Sequence, residues 1–498
     1  MVSARAKSIS RDVDIPDSSS PTFKREKLYE KFKPKIAVNS ALDRALVSFQ
    51  ANKDIPFSSW FKYREGFSES LVNYLLDHIG ADAGLLLDPF SGAGSALFAA
   101  SKRGWRTLGM EVLPVGIYAT RARFTVQKTN IVKLRAVIGE IAQANFLDYY
   151  DQDFELKHIT ITKGAFPAEE QRQLVGYIAY CHQQIADEQL RDVLLYAVFC
   201  ILEAISFTRK DGQYLRWDVR SGRSQGKKIF HKGHIPPFRE ALIEKLNQIA
   251  FDLDIHPTQQ SLFDLSGPTP IDRPQLDLYE GSCLEQLPTM EDNSIDVVIT
   301  SPPYANRYDY TRTYALELVY LGRTEEQVKQ LRQAMLSCTV ENKDKRDKLR
   351  EMYVKVGKAK DFKIIDQTFQ EQEALQEVLG LLDTYREQGK LNNSNIARLV
   401  RNYFYEMCFV IFELARILKP GGTIMMVNDN VRYAGEEIPV DLILSDFAES
   451  FGLLVKHIWT LERGKGNSSQ QMGNHGRSEL RKCVYVWEKA NRFTSSAL

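Results

Sequence analysis

The strongest evidence for a fold lies in the stretch GLLLDPFSGAGSALFAASKRGWRTLGMEV, residues 84–112. Its apolar run Leu85–Leu87 predicts a short buried strand that leads into Asp88, and a glycine-containing turn and a helical segment follow. A second apolar run then predicts another strand, with Glu111 at its end. A strand, a glycine turn, a helix and a strand that ends in an acid form the layout of a nucleotide-type site in a doubly wound sheet.

Further strands are predicted on either side of two long helical regions. The run IDVVITS at 295–301 predicts a buried strand, and LKPGG at 418–422 predicts a turn. The C-terminal part predicts a helix at 397–418, a strand at 423–428, a helix at 438–452 and strands at 453–462 and 481–488. We interpret the last two strands as an antiparallel hairpin. The fold class is therefore α/β, one doubly wound sheet assembled from distant pieces, with a mainly helical domain inserted.

This pattern divides the chain into six segments. They are a flexible N-terminal tail (1–45), the first part of the α/β core (46–124), an inserted helical and basic region (125–275), a second strand region (276–312), a charged helical insertion (313–395) and the C-terminal half of the core (396–498). The tail carries Ser, Pro and mixed charge without an apolar core. The charged insertion is interpreted as a packing or lid element.

The composition restricts the class of protein. The 498 residues carry a formal net charge of +1, so any nucleic-acid site must come from a local concentration of charge. No apolar run approaches the length of a membrane span, and the N-terminus lacks the apolar core of a signal peptide. The six cysteines lie far apart without a C-x-x-C pair, which argues against a zinc cluster and against a disulfide framework. We therefore expect a cytoplasmic protein without a metal.

The glycine turn is a candidate ligand site. Gly92 and Gly94 allow close approach of a ligand to the backbone, and the following helix begins with free N–H groups. Glu111, at the end of the next strand, suits a grip on two ribose hydroxyls. An ordinary strand-to-helix turn and a solvated acid are the alternatives.

The strand at 295–301 ends in an unusual way, in the residues Ser301, Pro302, Pro303 and Tyr304. Neither proline has a backbone N–H, so the segment could serve only to stop the strand. It also presents a hydroxyl, carbonyls outside any ladder and an aromatic ring. A planar heterocycle with an amino group would stack on the ring and donate its N–H groups to the oxygens. Such acceptors favour the tetrahedral geometry of a reacting amine.

Together these motifs resemble the S-adenosylmethionine-dependent amino-methyltransferases of DNA. DPFSGAG (88–94) is similar to their motif I, and TSPPY (300–304) to their catalytic motif IV. GMEVLP (109–114), LKPGG and WFKYREGF (60–67) are similar to further motifs of the family. The resemblance covers roughly half the chain. It implies a class I, Rossmann-like methyltransferase fold in which 46–124 is the cofactor-binding half, 125–275 the target-recognition region and 276–312 the catalytic strand region.

The resemblance also implies which residues form the site. S-adenosyl-L-methionine would contact Phe61, Asp88, Pro89, Phe90, Gly92, Gly94, Glu111 and Cys283. The catalytic residues would be Ser301, Pro302, Pro303 and Tyr304. One departure from the family is LYEGSC, which lacks the customary acid after Gly281 and leaves Glu280 as a substitute. Tyr308 and Tyr310 would lie beside the target, in a supporting role or only as aromatics that close a loop.

In this family, Ser-Pro-Pro-Tyr is typical of enzymes that methylate N4 of cytosine, whereas Asp-Pro-Pro-Tyr is typical of N6-adenine enzymes. Ser301 therefore favours a site-specific cytosine-N4 DNA methyltransferase that acts on a flipped base of double-stranded DNA. Its setting would be a bacterial restriction–modification or defence system, with a cognate restriction endonuclease as a possible partner. The alternatives are an N6-adenine DNA or RNA amino-methyltransferase, an inactive nucleic-acid-binding subunit and, by fold alone, a dinucleotide-dependent oxidoreductase.

A basic stretch at 206–240 is the predicted DNA grip, since it holds nine Lys or Arg against three Asp or Glu, interleaved with aromatic rings. A solvated basic loop is the alternative, and the polar loop 462–482 is a second candidate for phosphate contact. The nucleic-acid-binding candidates are Arg209, Lys210, Tyr214, Arg216, Trp217, Arg220, Arg223, Lys227 and Lys228.

Overall fold

The computed structural model of the protein describes residues 22–211, 214–224, 229–255, 276–462 and 480–491, with Tyr214 described through its backbone alone. Lys227, Lys228 and most of the loop 462–482 lie outside these ranges, as do residues 1–21. The strands in the described part are β1 (Ile36–Val38), β2 (Leu85–Asp88), β3 (Arg106–Glu111), β4 (Thr208–Asp211), β5 (Tyr214–Trp217), β6 (Leu276–Glu280), β7 (Ile295–Thr300), β8 (Leu418–Asp429), β9 (Val431–Tyr433), β10 (Glu436–Ile438), β11 (Leu453–Thr460) and β12 (Lys482–Lys489).

Helices surround these strands and fill the segments between them. The α-helices within the described ranges are α1 (Phe23–Phe32), α2 (Glu69–Ile79), α3 (Ser95–Lys102), α4 (Pro114–Val126), α5 (Ile131–Gln143), α6 (Ala168–Gln184), α7 (Glu188–Ile201), α8 (Phe238–Ile255), α9 (Cys283–Gln286), α10 (Tyr310–Thr313), α11 (Ala315–Tyr320), α12 (Glu325–Ala334), α13 (Arg346–Lys355), α14 (Ala359–Glu371), α15 (Glu373–Glu387), α16 (Ile396–Ile417) and α17 (Val440–Ser450).

One mixed sheet forms the centre of the fold, with the strand order β1-β11-β12-β8-β7-β2-β3-β6. β12 is antiparallel to both of its neighbours, and the other neighbouring strands pair in parallel. Alternate residues face opposite helical layers: Leu86 and Val297 pack with α2 and α3, whereas Leu87 and Val298 pack with α16 and α17. The predicted doubly wound α/β sheet and its antiparallel C-terminal hairpin are confirmed.

The first helix of the core begins later than the apolar spacing predicts. Ser68 caps α2, because its hydroxyl accepts a hydrogen bond from the backbone N–H of Leu71, and Gly80 ends the helix at a φ of +69°. The apolar spacing of residues 64–79 predicts a helix over that whole range, but residues 64–67 form an irregular segment instead. That segment leads the chain past the ends of the central strands.

The described part of the predicted tail is ordered, and the expectation of flexibility is wrong there. α1 packs on α15, and Arg25 pairs with Glu377 at 2.7 Å and with Glu436 at 3.1 Å. β1 then pairs in parallel with β11 and forms one edge of the sheet. Leu28 and Phe32 of this segment lie in the core, and carboxylates more than 300 residues away pair with Arg25.

We predicted a turn at LKPGG, before a strand that begins at residue 423. The structure instead has a bulge there, inside the longer strand β8. β8 extends from Leu418 through this segment, with Gly421 at a φ of +81°. The register against β7 moves from Ile295 opposite Leu418 to Val297 opposite Thr423, so the intervening residues bulge out of the ladder.

The two helical regions are not equivalent. Helices α5 to α8 form an apolar core of their own, which also includes parts of α4 and α11. The later helices α13 to α15 instead add residues such as Tyr353 and Ile365 to the core beneath the sheet. The charged insertion is therefore a packing element of the central core over most of its length.

Candidate functional site

The carboxyl ends of β2, β3 and β7 meet at one edge of the sheet, where open α/β sheets bind ligands. A cavity opens there. We call it the first cavity. Its lining comes from the glycine turn, from the strand ends and from distant loops: Tyr63, Glu65, Gly66, Phe67, Asp88, Pro89, Phe90, Ser91, Gly92, Ala93, Ser95, Met110, Glu111, Val112, Ser282, Cys283, Ser301, Pro303, Tyr310, Met335 and Leu336.

Asp88 ties two of these strand ends together. Thr300, the last residue of β7, donates a hydrogen bond of 2.6 Å to the Asp88 carboxylate, and the backbone N–H of Phe90 donates another of 3.1 Å. Asp88 is almost fully buried, and this burial raises its pKa from 3.8 to about 7. The carboxyl group therefore holds the glycine turn and the end of β7 in a fixed relation.

The glycine turn brings backbone close to the cavity. Gly92 and Gly94 have φ values of +52° and +81°, a region that side chains disfavour. A Cβ on Gly116, in α4, would lie 2.5 Å from the carbonyl oxygen of Gly92, so helix and turn are in direct backbone contact. We call this turn the cradle. A larger residue at Gly92 or at Gly116 would displace it.

Glu111 closes the opposite side of the cradle. Its carboxylate accepts hydrogen bonds from the backbone N–H groups of Gly92 at 2.7 Å, Val112 at 2.9 Å and Leu113 at 2.7 Å. Burial raises the pKa of this carboxyl group, and the three backbone donors oppose that change. The carboxylate lines the first cavity in a fixed orientation.

The segment Ser301–Tyr304 forms a wall with a different side chain on each face. Ser301 and Pro303 line the first cavity, whereas Pro302 and Tyr304 line a second cavity next to it. The Ser301 hydroxyl donates to the carbonyl oxygen of Val427 at 3.1 Å and lies 3.4 Å from the Tyr304 hydroxyl, and its lone pairs can serve as acceptors. The segment thus places an acceptor on one side and an aromatic ring on the other.

The second cavity is polar and aromatic. It shares Glu65, Gly66 and Tyr310 with the first cavity, so the two cavities adjoin. Its lining residues are Val47, Ser48, Arg64, Glu65, Gly66, Pro302, Tyr304, Asn306, Tyr308, Tyr310 and Lys482. A ligand in the first cavity and a ligand in the second cavity would therefore be neighbours, and both could contact these three shared residues.

Most of the predicted cofactor residues line the first cavity, with two exceptions. Gly94 shapes the turn without lining the cavity, and Phe61 packs against Phe199 at a ring distance of 4.6 Å, away from it. Tyr63, two residues later, takes the place we expected for Phe61. Cys283 lines the cavity, and burial raises the pKa of its thiol, while Glu280 pairs with Arg121 on the surface.

The predicted basic grip includes a two-stranded hairpin of β4 and β5, and several of its described cations are engaged within the protein. The prediction for Lys210 is wrong: its side chain is 3% exposed and pairs with Glu317. Arg220 is held by Asp218, and Arg223 stacks on Trp217 at 3.6 Å. The other two arginines reach the surface. Arg216 forms an ion pair with Asp211, and Arg209 is exposed.

Sequence reasoning missed several lining residues. Glu65 lies inside the stretch WFKYREGF, but nothing in the sequence separates it from other exposed acids. Met335 and Leu336 follow α12 in the charged insertion, and Lys482 begins β12. These residues reach the cavities only through the tertiary fold.

No group of three or more His, Cys, Asp or Glu residues in the described ranges has the arrangement of a metal site. None of the helices in the same ranges combines the length and the apolar character that a membrane crossing requires.

Known proteins resemble the chain over almost its whole length. The type II methyltransferase M.AvaI of Nostoc sp. is 44% identical over 484 residues, which cover 95% of this chain and 96% of that protein. M.AvaI of Anabaena variabilis shows the same values. The type II methyltransferase M.BsoBI of Geobacillus stearothermophilus is 39% identical over 484 residues, which cover 94% of this chain and 93% of that protein. No protein-family model and no solved structure matches the chain.

A fold of this kind with a glycine cradle beside an Ser-Pro-Pro-Tyr wall defines a methyltransferase of the Rossmann-like class. Identity of this level over nearly the whole length then shows the family, and the chain belongs to the type II methyltransferases.

Proposed function

We propose that the protein is a site-specific DNA methyltransferase that transfers a methyl group from S-adenosyl-L-methionine to the exocyclic N4 amino group of a flipped cytosine. Its membership of the type II methyltransferases supports the reaction class. The observation that carries the finer proposal is the division of Ser301 and Tyr304 between two adjoining cavities. Such a wall suits a reaction between a donor and an acceptor that are bound separately.

The first cavity suits the cofactor. The backbone of Gly92 would admit it closely, Glu111 would accept bonds from ribose hydroxyls and Phe90 would contact the adenine ring. When bound, the cofactor supplies an electrophilic methyl group on a sulfonium centre. A Cβ on Gly92 would lie 2.9 Å from the ring of Tyr63, so only glycine lets these two lining residues approach each other this closely.

Ser301 would act on the amino group of the base. Its hydroxyl donates to the carbonyl of Val427 and lies beside the Tyr304 hydroxyl, and its oxygen has lone pairs that can accept a hydrogen bond from the amine. A carbonyl of the proline pair can accept the second N–H, since neither proline contributes to the ladder. Two acceptors turn the nitrogen lone pair out of conjugation with the ring and toward the methyl group, which lowers the barrier.

The second cavity would receive the base. Tyr304 offers a ring for stacking, and Asn306 offers an amide that can both donate and accept. A base inside a duplex cannot reach this wall, so the target must be flipped out of the stack. The choice of cytosine over adenine depends on serine, rather than aspartate, at the start of the Ser-Pro-Pro-Tyr segment.

We also propose how the protein engages its surroundings. The surface of the hairpin β4–β5, through Arg209 and neighbouring arginines, would contact the phosphates of double-stranded DNA. The protein would act in the bacterial cytoplasm and protect DNA against a cognate restriction endonuclease.

Replacement of the Ser301 hydroxyl tests the proposal. We expect Ser301→Ala to reduce single-turnover methyl transfer by at least about 100-fold, a loss typical of one oriented acceptor. Equilibrium binding of S-adenosylmethionine should stay within about threefold of the wild-type value, because the glycine turn and the contacts of Glu111 are unchanged. Ser450→Ala, which removes an exposed hydroxyl at the end of α17, is the matched control. Methyl transfer at the wild-type rate in Ser301→Ala would show that the hydroxyl has no catalytic role.

A further inference from the structure

Glu65 occupies a special position between the two cavities. It lines both of them, together with Gly66 and Tyr310. Among the described residues that line the second cavity, Glu65 is the only carboxylate. A carboxylate at this position can contact a ligand in either cavity.

The other carboxylates of the first cavity are already committed. Asp88 accepts from Thr300 and from the backbone of Phe90, and Glu111 accepts from three backbone N–H groups. Neither of them lines the second cavity. Glu65 is therefore the carboxylate placed to act on a base in that cavity.

Aromatic residues hold Glu65 in place. The hydroxyls of Tyr308 and Tyr314 donate to its two carboxylate oxygens. Tyr314 stacks on Tyr63 with the ring centroids 5.0 Å apart and the planes at 10°. Each carboxylate oxygen keeps a further lone pair, so the group can still accept a proton or a hydrogen bond from a ligand.

We propose that Glu65 accepts the proton that the target amine loses during methyl transfer. The inference rests on the proposed function. The nitrogen lone pair forms the new N–C bond, the C–S bond breaks and its electron pair stays on sulfur. The nitrogen, positively charged at that point, passes one proton to a carboxylate oxygen of Glu65 and becomes a neutral secondary amine. The proton then leaves from Glu65 to solvent when the product dissociates.

The surroundings of Glu65 suit this role. Burial raises the pKa of its carboxyl group above the ordinary value of 4.5, which makes it a better proton acceptor than an exposed glutamate. The groups that face it are Tyr63 and Arg64 on its own segment, Tyr308, Tyr310 and Tyr314 on the segment after the wall, and Lys210 on β4. Burial raises the pKa of these tyrosines, so they stay neutral, and Lys210 opposes the shift in Glu65.

The first test is Glu65→Gln, which keeps the shape of the side chain but cannot take up a proton. We expect the single-turnover rate to fall at least about 100-fold. The wild-type rate should fall as the pH drops through the pKa of Glu65, and this acidic limb should be absent in Glu65→Gln. Glu371→Gln, at an exposed position at the end of α14, is the control and should retain both the rate and the limb. An unchanged rate and pH profile in Glu65→Gln would overturn the inference.

Ligand binding provides a readout that does not depend on turnover. S-adenosylmethionine is cationic at sulfur, whereas S-adenosylhomocysteine is neutral there. An ionised Glu65 beside the first cavity favours the cationic ligand. Glu65→Gln should therefore lower the ratio of the affinity for S-adenosylmethionine to the affinity for S-adenosylhomocysteine by about 5-fold or more. An equal loss of affinity for both ligands would indicate a collapsed cavity and would count against the inference.

Tyr308→Phe keeps the carboxylate and removes one of its donors. Since that donor lowers the pKa of Glu65, the acidic limb should move to higher pH. A limb that does not move would contradict the assignment of the limb to Glu65. The identity of the methylated base is measured separately, so N6-methyladenine as product would refute the cytosine proposal while leaving the role of Glu65 to be judged on the rate and the limb.

Discussion

The hydroxyl of Thr300 donates a hydrogen bond of 2.6 Å to the carboxylate of Asp88, although the two residues are 212 positions apart in the chain. Asp88 ends the strand before the glycine turn, and Thr300 ends the strand before the Ser-Pro-Pro-Tyr wall. One buried contact therefore joins the two halves of the site. Its strength determines how firmly the cradle is held against the wall.

We expect Thr300→Val to destabilise the protein. The valine preserves the shape of the side chain but leaves Asp88 with one donor fewer, which costs about 1–3 kcal/mol for a buried acceptor. Urea denaturation of the wild-type and variant proteins measures this loss. Thr107→Val is the matched control, since the Thr107 hydroxyl is buried without a hydrogen-bond partner among the described residues. That control should be neutral or stabilising, and equal losses in both variants would contradict the role of Thr300.

The pH dependence of stability should reflect Asp88. Its folded-state pKa is raised from 3.8 to about 7, so the folded protein holds a proton that the unfolded chain releases between these values. The stabilisation is complete below about pH 4 and is lost as the pH rises toward and through 7. Asp88→Asn stays neutral and keeps an acceptor for Phe90, so its free energy of unfolding should fall less between pH 5 and pH 8 than that of the wild type. Parallel pH profiles would mean that Asp88 does not titrate in this range.

Gly116→Ala should disturb the cradle. Its Cβ would lie 2.5 Å from the carbonyl oxygen of Gly92, so the glycine turn must move away from α4. We expect the affinity for S-adenosylmethionine to fall by at least about 10-fold, as isothermal titration calorimetry can measure, because a displaced turn no longer fits the ligand. Gly139→Ala, in α5, has open space around its Cβ and should stabilise the helix by about 0.5–1 kcal/mol without an effect on binding. Equal affinities in the two variants would refute the cradle.

The buried ion pair of Lys210 and Glu317 should behave as a structural contact. Lys210→Ala leaves Glu317 buried and unpaired, which we expect to cost about 3–5 kcal/mol in the free energy of unfolding. Lys210→Met with Glu317→Leu should recover most of that loss, because neither charge then remains.

Arg209 provides the contrast on the same strand. Arg209→Ala should leave the free energy of unfolding within about 0.5 kcal/mol of the wild-type value. The slope of the logarithm of DNA affinity against the logarithm of salt concentration should become shallower by about one, as the loss of one phosphate contact predicts. A salt slope that changes in the Lys210 double variant, but not in Arg209→Ala, would reverse these assignments.

The sheet could be predicted from the sequence because each strand is marked by residues that are close together in the chain. The strand ends at Asp88, Glu111 and Thr300 follow from apolar runs and turns, and parallel pairing then brings them together. Glu65 lacked any such signal, since its partners Tyr308 and Tyr314 lie more than 240 residues later. The prediction for Lys210 failed for the same reason. A count of charges along the chain does not reveal that Lys210 is buried and paired with Glu317, 107 residues away.

We propose that the protein methylates N4 of cytosine. The most direct measurement is mass spectrometry of nucleosides from duplex DNA that was incubated with the protein and methyl-labelled S-adenosylmethionine. We predict that the label appears in N4-methylcytosine and is absent from the same DNA treated with Ser301→Ala. Label in N6-methyladenine, or no label in any nucleoside, would contradict the claim.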